Sequence, residues 1–180
     1  MTGSATVQAS ASTVSGTIVP SVTTVSANTT YQINITTLDA LSATGQVKII
    51  FPTTISPTTT SNCATLSGTN VITSPTCAVS GADNSVLITA MNSSTADIVV
   101  QTLTVNVLGV VNAPSTAPSA DFRVQTYYTG DADTLVADGT ISGISATVGT
   151  IDNSKVGVVA SSYVVLDTAV TYTLSFTNTY

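Results

Sequence analysis

The sequence lacks the side chains on which most enzyme active sites depend. It contains no histidine, no tryptophan and no glutamate, since all nine acidic residues are aspartate. A Ser-His-Asp triad is therefore impossible, and general acid–base catalysis near neutral pH loses two of its commonest groups. No nucleophile elbow, dinucleotide-binding glycine motif or phosphate-binding loop is present. We predict a protein that is not an enzyme, with no catalytic residues and no cofactor.

Positive charge is equally scarce. Lys48, Arg123 and Lys155 are the three basic residues, and the formal net charge is −6. Nucleic-acid binding needs a basic surface, and an anionic membrane would repel this chain, so we expect neither partner. No apolar run is long enough to span a bilayer, so we expect no membrane insertion.

Threonine and serine, by contrast, number 36 and 23 residues. Strong helix formers are absent or rare, whereas threonine and valine favour strands. Apolar and polar residues alternate over 31–36, 47–51, 103–107 and 122–126, which indicates half-buried strands. Shorter candidate strands lie at 14–19, 22–26, 77–80, 85–90, 97–100 and 135–142. Because polar turns separate these segments and none has a helical stripe, we predict an all-β fold, an Ig-like antiparallel β-sandwich.

The two cysteines predict a disulfide and, with it, an oxidising compartment. Cys63 and Cys77 lie in a stretch rich in Ser, Thr and Pro; two thiols alone do not close a zinc site, and their spacing is not that of a C-x-x-C redox pair. Sequons at Asn28, Asn34 and Asn92 are candidate N-glycosylation sites and agree with secretion. The first residues do not read as a signal peptide, so we expect a segment of a longer extracellular or cell-surface protein.

A longer pattern becomes visible when the chain is shifted by 141 residues. The tetrapeptide SATV at 4–7 then aligns with SATV at 145–148, and residues 1–39 pair with 142–180 without a gap. The other identical pairs are Gly16/Gly157, Ser21/Ser162, Thr30/Thr171, Tyr31/Tyr172 and Thr36/Thr177. Apolar residues also keep one face, and a one-residue slip would turn them to the wrong side of a sheet. We therefore interpret the chain as one repeat unit of about 141 residues plus the start of the next.

This interpretation divides the chain into three parts. Residues 1–13 are a seam, either the closing strand of a preceding unit or a linker; 14–148 are the sandwich; and 149–180 are the opening strands of the next unit. Those strands cannot bury an apolar face alone, so a following or neighbouring unit must complete them. The predicted inter-unit contacts are Val158, Val164, Leu166, Tyr172, Leu174 and Phe176. The predicted partner is the protein itself, head to tail, within one longer chain or between subunits.

Six motifs follow one another in a characteristic order. They are TTYQINITT (29–37), GQVKIIFP (45–52), Cys63 with Cys77, VNVLGVVNAPST (105–116), FRVQTYYTGD (122–131) and GTISGISATVGT (139–150). This order, which covers nearly the whole chain, resembles the tandem extracellular β-sandwich repeats of large surface proteins in ciliates and related protists, and similar repeats occur in prokaryotic surface proteins. The resemblance implies an extracellular structural or adhesive role, with no known catalytic residues.

Few residues suggest a binding site. Asp131, Asp133 and Asp138 form the acidic cluster of the sequence, and oxygen-rich loops of this kind can hold Ca²⁺. The segment lacks an EF-hand pattern, however, and Asp and Gly are typical of a solvated turn, so we expect no metal. Lys48 faces away from its apolar neighbours; a cross-link to Asn or Asp is one interpretation, and a lysine whose stem packs while its amine reaches water is the simpler one.

These observations favour a non-enzymatic structural module of an extracellular surface protein or filament, with units chained head to tail through strand exchange. One alternative is an adhesin or glycan-binding module, which would need a groove near Tyr127, Tyr128 and 131–138. A second alternative is a prokaryotic pilin-like subunit that assembles by donating strands.

Overall fold

The computed structural model describes residues 12–58, 63–71, 75–92, 97–128, 135–149, 157–160 and 172–175. Every regular element in these ranges is a β-strand. The described residues form no helix of sufficient length and apolar character to cross a membrane. The strands are β1 (Ser12–Thr13), β2 (Ser15–Pro20), β3 (Asn28–Thr36), β4 (Gln46–Ile50), β5 (Ser56–Pro57), β6 (Cys63–Ser67), β7 (Thr76–Ser80), β8 (Ser85–Thr89), β9 (Thr102–Val111), β10 (Phe122–Tyr127), β11 (Leu135–Ile141), β12 (Gly157–Ala160) and β13 (Tyr172–Ser175).

Two sheets form the sandwich. Sheet I has the order β1-β11-β10-β4-β8-β7, and sheet II has the order β2-β3-β9-β5, with β6 also paired to β9. Their pairs are antiparallel except that β1 runs parallel to β11. In an Ig-like sandwich one sheet holds strands A, B, E and D and the other holds C, F and G. Here β2, β3, β9 and β6 take the first set of positions and β4, β10 and β11 the second. The predicted all-β, Ig-like fold is confirmed, with the β7–β8 hairpin added beside β4.

The core between the sheets consists of the inward residues of alternating strands. In β3, Tyr31, Ile33 and Ile35 are buried, whereas Gln32 faces solvent. Strands β4, β8, β9 and β10 add Val47, Ile49, Val86, Ile88, Leu103, Val105, Val107, Phe122 and Val124. The rings of Tyr31 and Phe51 each contact Phe122, at centroid distances of 6.3 and 5.5 Å. Burying one such side chain is worth about 1.5–3 kcal/mol, so these inward faces supply most of the driving force for the sandwich.

Two short predicted strands are wrong. In 22–26 and 97–100, Thr24 and Ile98 each form a single bridge, and no strand is built around them. Ser26 adopts a φ of 56°, which ends the extended conformation. Composition alone suggested these strands, but a strand also needs a neighbour that continues the ladder. Conversely, 12–13, predicted as part of the seam, pair as β1 with Ala137 and Asp138 in sheet I.

The first strand crosses from sheet I to sheet II at Val14, between β1 and β2. This crossing brings the backbone of Val14 directly over Gly139 of β11. A Cβ atom at Gly139 would lie 2.0 Å from the carbonyl oxygen of Val14 and 2.9 Å from its backbone nitrogen. Only glycine therefore allows the crossing strand to close this side of the sandwich.

We expect Gly139→Ala to destabilise the protein by about 1–3 kcal/mol, because the added methyl group forces the Val14 backbone away from β11. Urea unfolding followed by far-UV circular dichroism would measure the change. Gly81→Ala is the matched control, since no atom lies within 4 Å of a Cβ built at Gly81. Equal stability of the two variants would contradict the close approach.

The chain runs from one end of the sandwich to the other. We call the end that carries 37–46 and 97–101 the lower end, and the end that carries 21–27, 112–121 and 142–148 the upper end. Strand β1 begins beside the lower half of β11 and continues through β2 to the upper end, where Pro20 pairs with Tyr31. The last strand, β11, also runs upwards. The chain therefore enters near the lower end and leaves at the upper end.

The predicted second copy forms an antiparallel pair again. In the predicted repeat β12 and β13 correspond to β2 and β3, but the register of the observed pair differs by one residue. The equivalent of the Gly16–Ile35 pair would be Gly157–Phe176, and the structure pairs Gly157 with Ser175 instead. In the first copy β9 and the core fix the register; among the described residues β12 and β13 pair only with each other. Of the predicted inter-unit contacts, Val158, Tyr172 and Leu174 lie in these strands, and Val164, Leu166 and Phe176 lie outside the described residues.

Candidate functional site

The best-defined polar cluster of the sandwich lies at the upper end, around Asn112. This buried side chain donates from Nδ2 to the carbonyl oxygens of Val22 and Thr24, both at 2.8 Å, and its Oδ1 accepts from the Tyr31 hydroxyl at 2.7 Å. Its backbone N–H also donates to the carbonyl of Ala27 at 2.9 Å. Burial raises the pKa of Tyr31 to about 12, so its hydroxyl stays a donor. Asn112 thus fixes the 21–27 loop against the core.

The segment after β11 docks on that loop. Its residues 145–148, the second SATV tetrapeptide, form what we call the docked seam. The backbone of Thr147 donates to the Thr23 carbonyl at 2.7 Å and accepts from the Val25 N–H at 2.8 Å, as in a parallel bridge with Thr24. The hydroxyls of Thr23 and Thr147 lie 3.0 Å apart. The chain therefore leaves the unit in a fixed position.

Residues just before the docked seam are held as well. Ser119 donates its N–H to the Ile144 carbonyl at 2.8 Å, and its hydroxyl accepts from the Ile144 N–H at 3.1 Å. The Gly143 N–H donates to Oδ1 of Asp121 at 3.1 Å. A crevice separates the seam from the body of the unit, lined by Pro20, Thr23, Tyr31, Ile55, Asn112, Ala113, Ile144, Ser145 and Ala146, and it has no room for a water molecule. This region is therefore tightly packed against the rest of the fold.

A second asparagine, Asn84, organises the neighbouring turn of the upper end. It has a φ of 53°, and its Nδ2 donates to the carbonyls of Phe51, Pro52 and Ile55 at 2.8–3.1 Å. The sequence predicts a turn at 80–84 but not this role for Asn84, nor that of Asn112. The available signal was an Asn at the end of a strand or turn, where its side chain can bond nearby backbone groups.

Of the predicted acidic cluster, Asp138 lies among the described residues. Asp138 in β11 binds the guanidinium of Arg123, whose Nε lies 2.8 and 3.1 Å from the two carboxylate oxygens. That contact holds the pKa of Asp138 below its usual value. Asp131 and Asp133 lie outside the described residues, and the described part of the chain holds no group of three metal-ligating side chains. Asp138 therefore acts as the partner of Arg123.

The predicted groove near the tyrosines is not lined by both rings. Tyr127 is buried, and its hydroxyl donates to Oε1 of Gln125 at 2.9 Å. Tyr128 is exposed at the lower end. The two side chains thus lie in different environments, and Tyr127 offers no exposed ring on which a sugar could stack.

Lys48 forms an ion pair with Asp83, with Nζ 2.5 Å from Oδ2. A hydrogen bond from this ammonium holds the pKa of Asp83 well below its usual range. Lys48 is partly exposed on the outer face of sheet I. This arrangement matches a lysine whose stem packs on the strand while its amine reaches the surface.

The three sequons differ in their surroundings. Asn28 is exposed at the start of β3. Asn34 lies in mid-sheet, where its Nδ2 donates to the Thr17 hydroxyl at 3.1 Å and its Oδ1 accepts from Thr104 at 2.8 Å. Asn92 is partly exposed and bridges to Val71. A glycan on Nδ2 of Asn34 would compete with its hydrogen bond to Thr17, whereas Asn28 is exposed.

The predicted disulfide between Cys63 and Cys77 is present. It joins β6, at an edge of sheet II, to β7, at an edge of sheet I, with a Cα–Cα distance of 5.8 Å. The bond closes one open side of the sandwich, while the Val14 crossing closes the other. A disulfide of this kind is typical of proteins that fold in an oxidising compartment.

No protein-family model and no curated protein matches the chain. Among solved structures, it is similar to a collagen-binding domain from a Staphylococcus aureus adhesin. The two share 12% sequence identity over 72% of this chain and 95% of that domain, with a TM-score of 0.40. A similarity of this size carries no argument about function, and the resemblance to ciliate surface repeats stays a prediction.

Proposed function

We propose that the chain is a non-enzymatic structural module of an extracellular surface protein or filament, built from units that follow one another head to tail. The observation that carries this proposal is the path of the chain. It enters the sandwich near the lower end, leaves at the upper end, and is followed by the hairpin β12–β13, which stands at the positions of β2–β3 in the predicted repeat. Units with this path form a line without long connections.

The identities between the two copies fall on positions with specific structural roles. A Cβ at Gly16 would lie 2.1 Å from the carbonyl oxygen of Asn34, so the β2–β3 contact needs glycine there. Ser21 donates its N–H to the Thr30 carbonyl at 2.8 Å, and its hydroxyl accepts from the Thr30 N–H at 3.3 Å. Tyr31 is the buried partner of Asn112. Chance matches in a Thr- and Val-rich chain would not favour these positions, which supports true repetition.

The number of hairpins favours tandem units in one chain over exchange between chains. One body, residues 37–141, offers one position beside β9, and β3 already fills it. The chain brings two hairpins to that single position. If the second hairpin of one molecule docked beside β9 of another molecule, it would displace the first hairpin of that molecule. The exchange would therefore bury no additional apolar surface. A second body is therefore the arrangement that covers the second hairpin.

An extracellular setting fits the covalent and electrostatic features. The disulfide needs an oxidising compartment to form and persist. Both described basic side chains are paired, Lys48 with Asp83 and Arg123 with Asp138, so no basic surface is left for an anionic partner among the described residues. A weakly charged chain rich in Thr and Ser is better suited to a structural role than to nucleic-acid binding.

The test is an extended chain in which residues 1–180 are followed directly by a second copy of 40–148. The natural second hairpin then precedes a complete second body in the repeat register. We expect two folded units and a second native disulfide. Hydrogen exchange should protect the amides of 157–160 and 172–175 as strongly as those of β2 and β3, because both hairpins are then covered.

Two substitutions in the second hairpin provide the control. Leu174→Ala should destabilise the second unit alone by about 2–5 kcal/mol, because Leu174 corresponds in the predicted repeat to Ile33, which is buried. Thr173→Ala should change stability by less than about 0.5 kcal/mol, because Thr173 is exposed, as is its equivalent Gln32. An unfolded second body, or equal effects of the two substitutions, would contradict the proposal.

The alternatives make a different prediction about the native molecule. A pilin-like subunit would have a native polypeptide mass near 18.1 kDa, whereas a tandem-repeat protein would be many times larger. Intact mass of the native polypeptide therefore separates them. Glycan binding stays an alternative prediction, to be tested by a glycan array with and without a chelator.

A further inference from the structure

One residue of the docked seam, Val148, has a side chain that is largely exposed within its own unit. Ser145 and Ala146 line the crevice and Thr147 is hydrogen-bonded to the 21–27 loop. Val148, in contrast, is 74% exposed, and Val22 beside the docked seam is 43% exposed. Valine stands at the equivalent position of the first tetrapeptide too, as Val7. An exposed apolar side chain whose residue type recurs in the sequence repeat suggests a contact outside the unit.

The repeat register places the next unit close to this surface. The residue equivalent to Ser12, where the first unit begins its strand pairing, is Asn153. Only 148–152 separate it from the docked Thr147, and a chain of that length spans at most about 20 Å. The hydrogen bonds of Thr147 fix one end of this short connection. The lower end of the following unit is therefore held near Val22 and Val148.

The lower end exposes its own apolar patch. The segment 37–41 runs beside 98–101, with hydrogen bonds between Thr37 and Gln101 and between Leu41 and Ile98. Between those bonds, Leu38 is exposed, and Val99 and Val100 are 49% and 54% exposed. In the second copy Thr179 stands at the position of Leu38, so the contact would rest mainly on the equivalents of Val99 and Val100.

We propose that Val22 and Val148 pack against the lower end of the following unit, on the residues equivalent to Val99 and Val100, and that this contact makes the connection between units a fixed joint. The inference rests on the proposed function and adds the surface through which successive units meet. The partner is a second copy of the same unit, because the connection is too short to admit another protein between the two ends.

The extended chain described above also tests the joint. Its two units should tumble in solution as one elongated body, measured by NMR relaxation of their backbone amides. Val148→Ser should give the two units separate, faster tumbling. The same substitution in the 180-residue chain should leave the melting temperature unchanged, because Val148 is exposed within its own unit. Val19→Ser is the control, since Val19 is exposed on the outer face of β2 and belongs to neither patch.

The outcomes separate the two proposals. Two folded units that tumble independently before any substitution, or a Val148→Ser variant that tumbles like the parent, would overturn the joint and leave the tandem module intact. A second body that fails to fold would overturn both. Val100→Ser in the appended copy provides the reciprocal measurement and should loosen the joint as Val148→Ser does.

Discussion

Replacing Asn112 with alanine is expected to lower the free energy of unfolding by about 3 kcal/mol, because three side-chain hydrogen bonds are lost at about 1 kcal/mol each. The Tyr31 hydroxyl would be left buried without its acceptor, and the carbonyls of Val22 and Thr24 without their donor. The 21–27 loop and the docked seam that rests on it should loosen together. Urea denaturation gives the stability, and hydrogen exchange of the Val25 and Thr147 amides reports the loop.

A double-mutant cycle with Tyr31→Phe isolates the hydrogen bond between the two side chains. We expect Asn112→Ala to cost less in the Tyr31→Phe background, with a coupling of about 0.5–3 kcal/mol. Asn28→Ala, at an exposed position in the same part of the sheet, is the control and should change stability by less than about 0.5 kcal/mol. Additive effects of the two core substitutions would contradict a direct bond.

Alkaline pH provides an independent readout of the same site. Burial raises the pKa of Tyr31 from 10.0 to about 12, so the folded state favours the neutral phenol. Its contribution to stability is complete below pH 10 and is lost as the pH rises towards 12, because the unfolded chain releases the proton first. The stability difference between the parent and Tyr31→Phe should therefore shrink across this range. A difference that is constant with pH would place the phenol in solvent.

The second large effect is expected from the disulfide. The double substitution Cys63→Ala and Cys77→Ala opens a loop with a sequence separation of 14 residues. The chain-entropy model gives about 3 kcal/mol for a loop of this length. For a chain of this size we expect the melting temperature to fall by about 6–12 °C. Differential scanning calorimetry of the oxidised parent and the double variant measures the shift.

The position of the disulfide makes this prediction specific. It ties β6 to β7, the edge strands that belong to different sheets, so its loss frees one side of the sandwich. Thr76→Ala, at an exposed position of β7, is the control. A double variant as stable as this control would show that the loop is already ordered without the bond.

The long strands could be predicted because their pattern repeats over many residues. Alternation over 31–36 and 103–107 gave β3 and β9, and their apolar residues are buried as expected. The short runs at 22–26 and 97–100 have the same composition but no continuous neighbour, so the prediction failed there. Strand pairing depends on residues that are distant in sequence, which a local pattern does not encode.

The docked seam at the upper end shows the same limit of prediction from a local pattern. The sequence shows the tetrapeptide SATV twice, at 4–7 and 145–148, and the seam between units stays a prediction. That Thr147 would dock on the 21–27 loop, with Asn112 beneath it, depends on contacts between residues up to 124 positions apart. The partner of Asp138 was likewise not predicted, because Arg123, which binds its carboxylate, lies on the neighbouring strand.

The chain enters near one end of the sandwich and leaves at the other. This path also determines how the unit carries mechanical load. Tension along a line of units would pull β2 downwards and the docked seam upwards, parallel to the strands. The bonds between β2 and β3 run across that direction over six residue pairs, so they are loaded in shear and have to break together rather than one after another. The Cys63–Cys77 bond lies on the opposite edge of the sandwich, outside this path of force. In such a unit the hydrogen bonds of the first hairpin would resist stretching, whereas the disulfide would contribute to thermal stability.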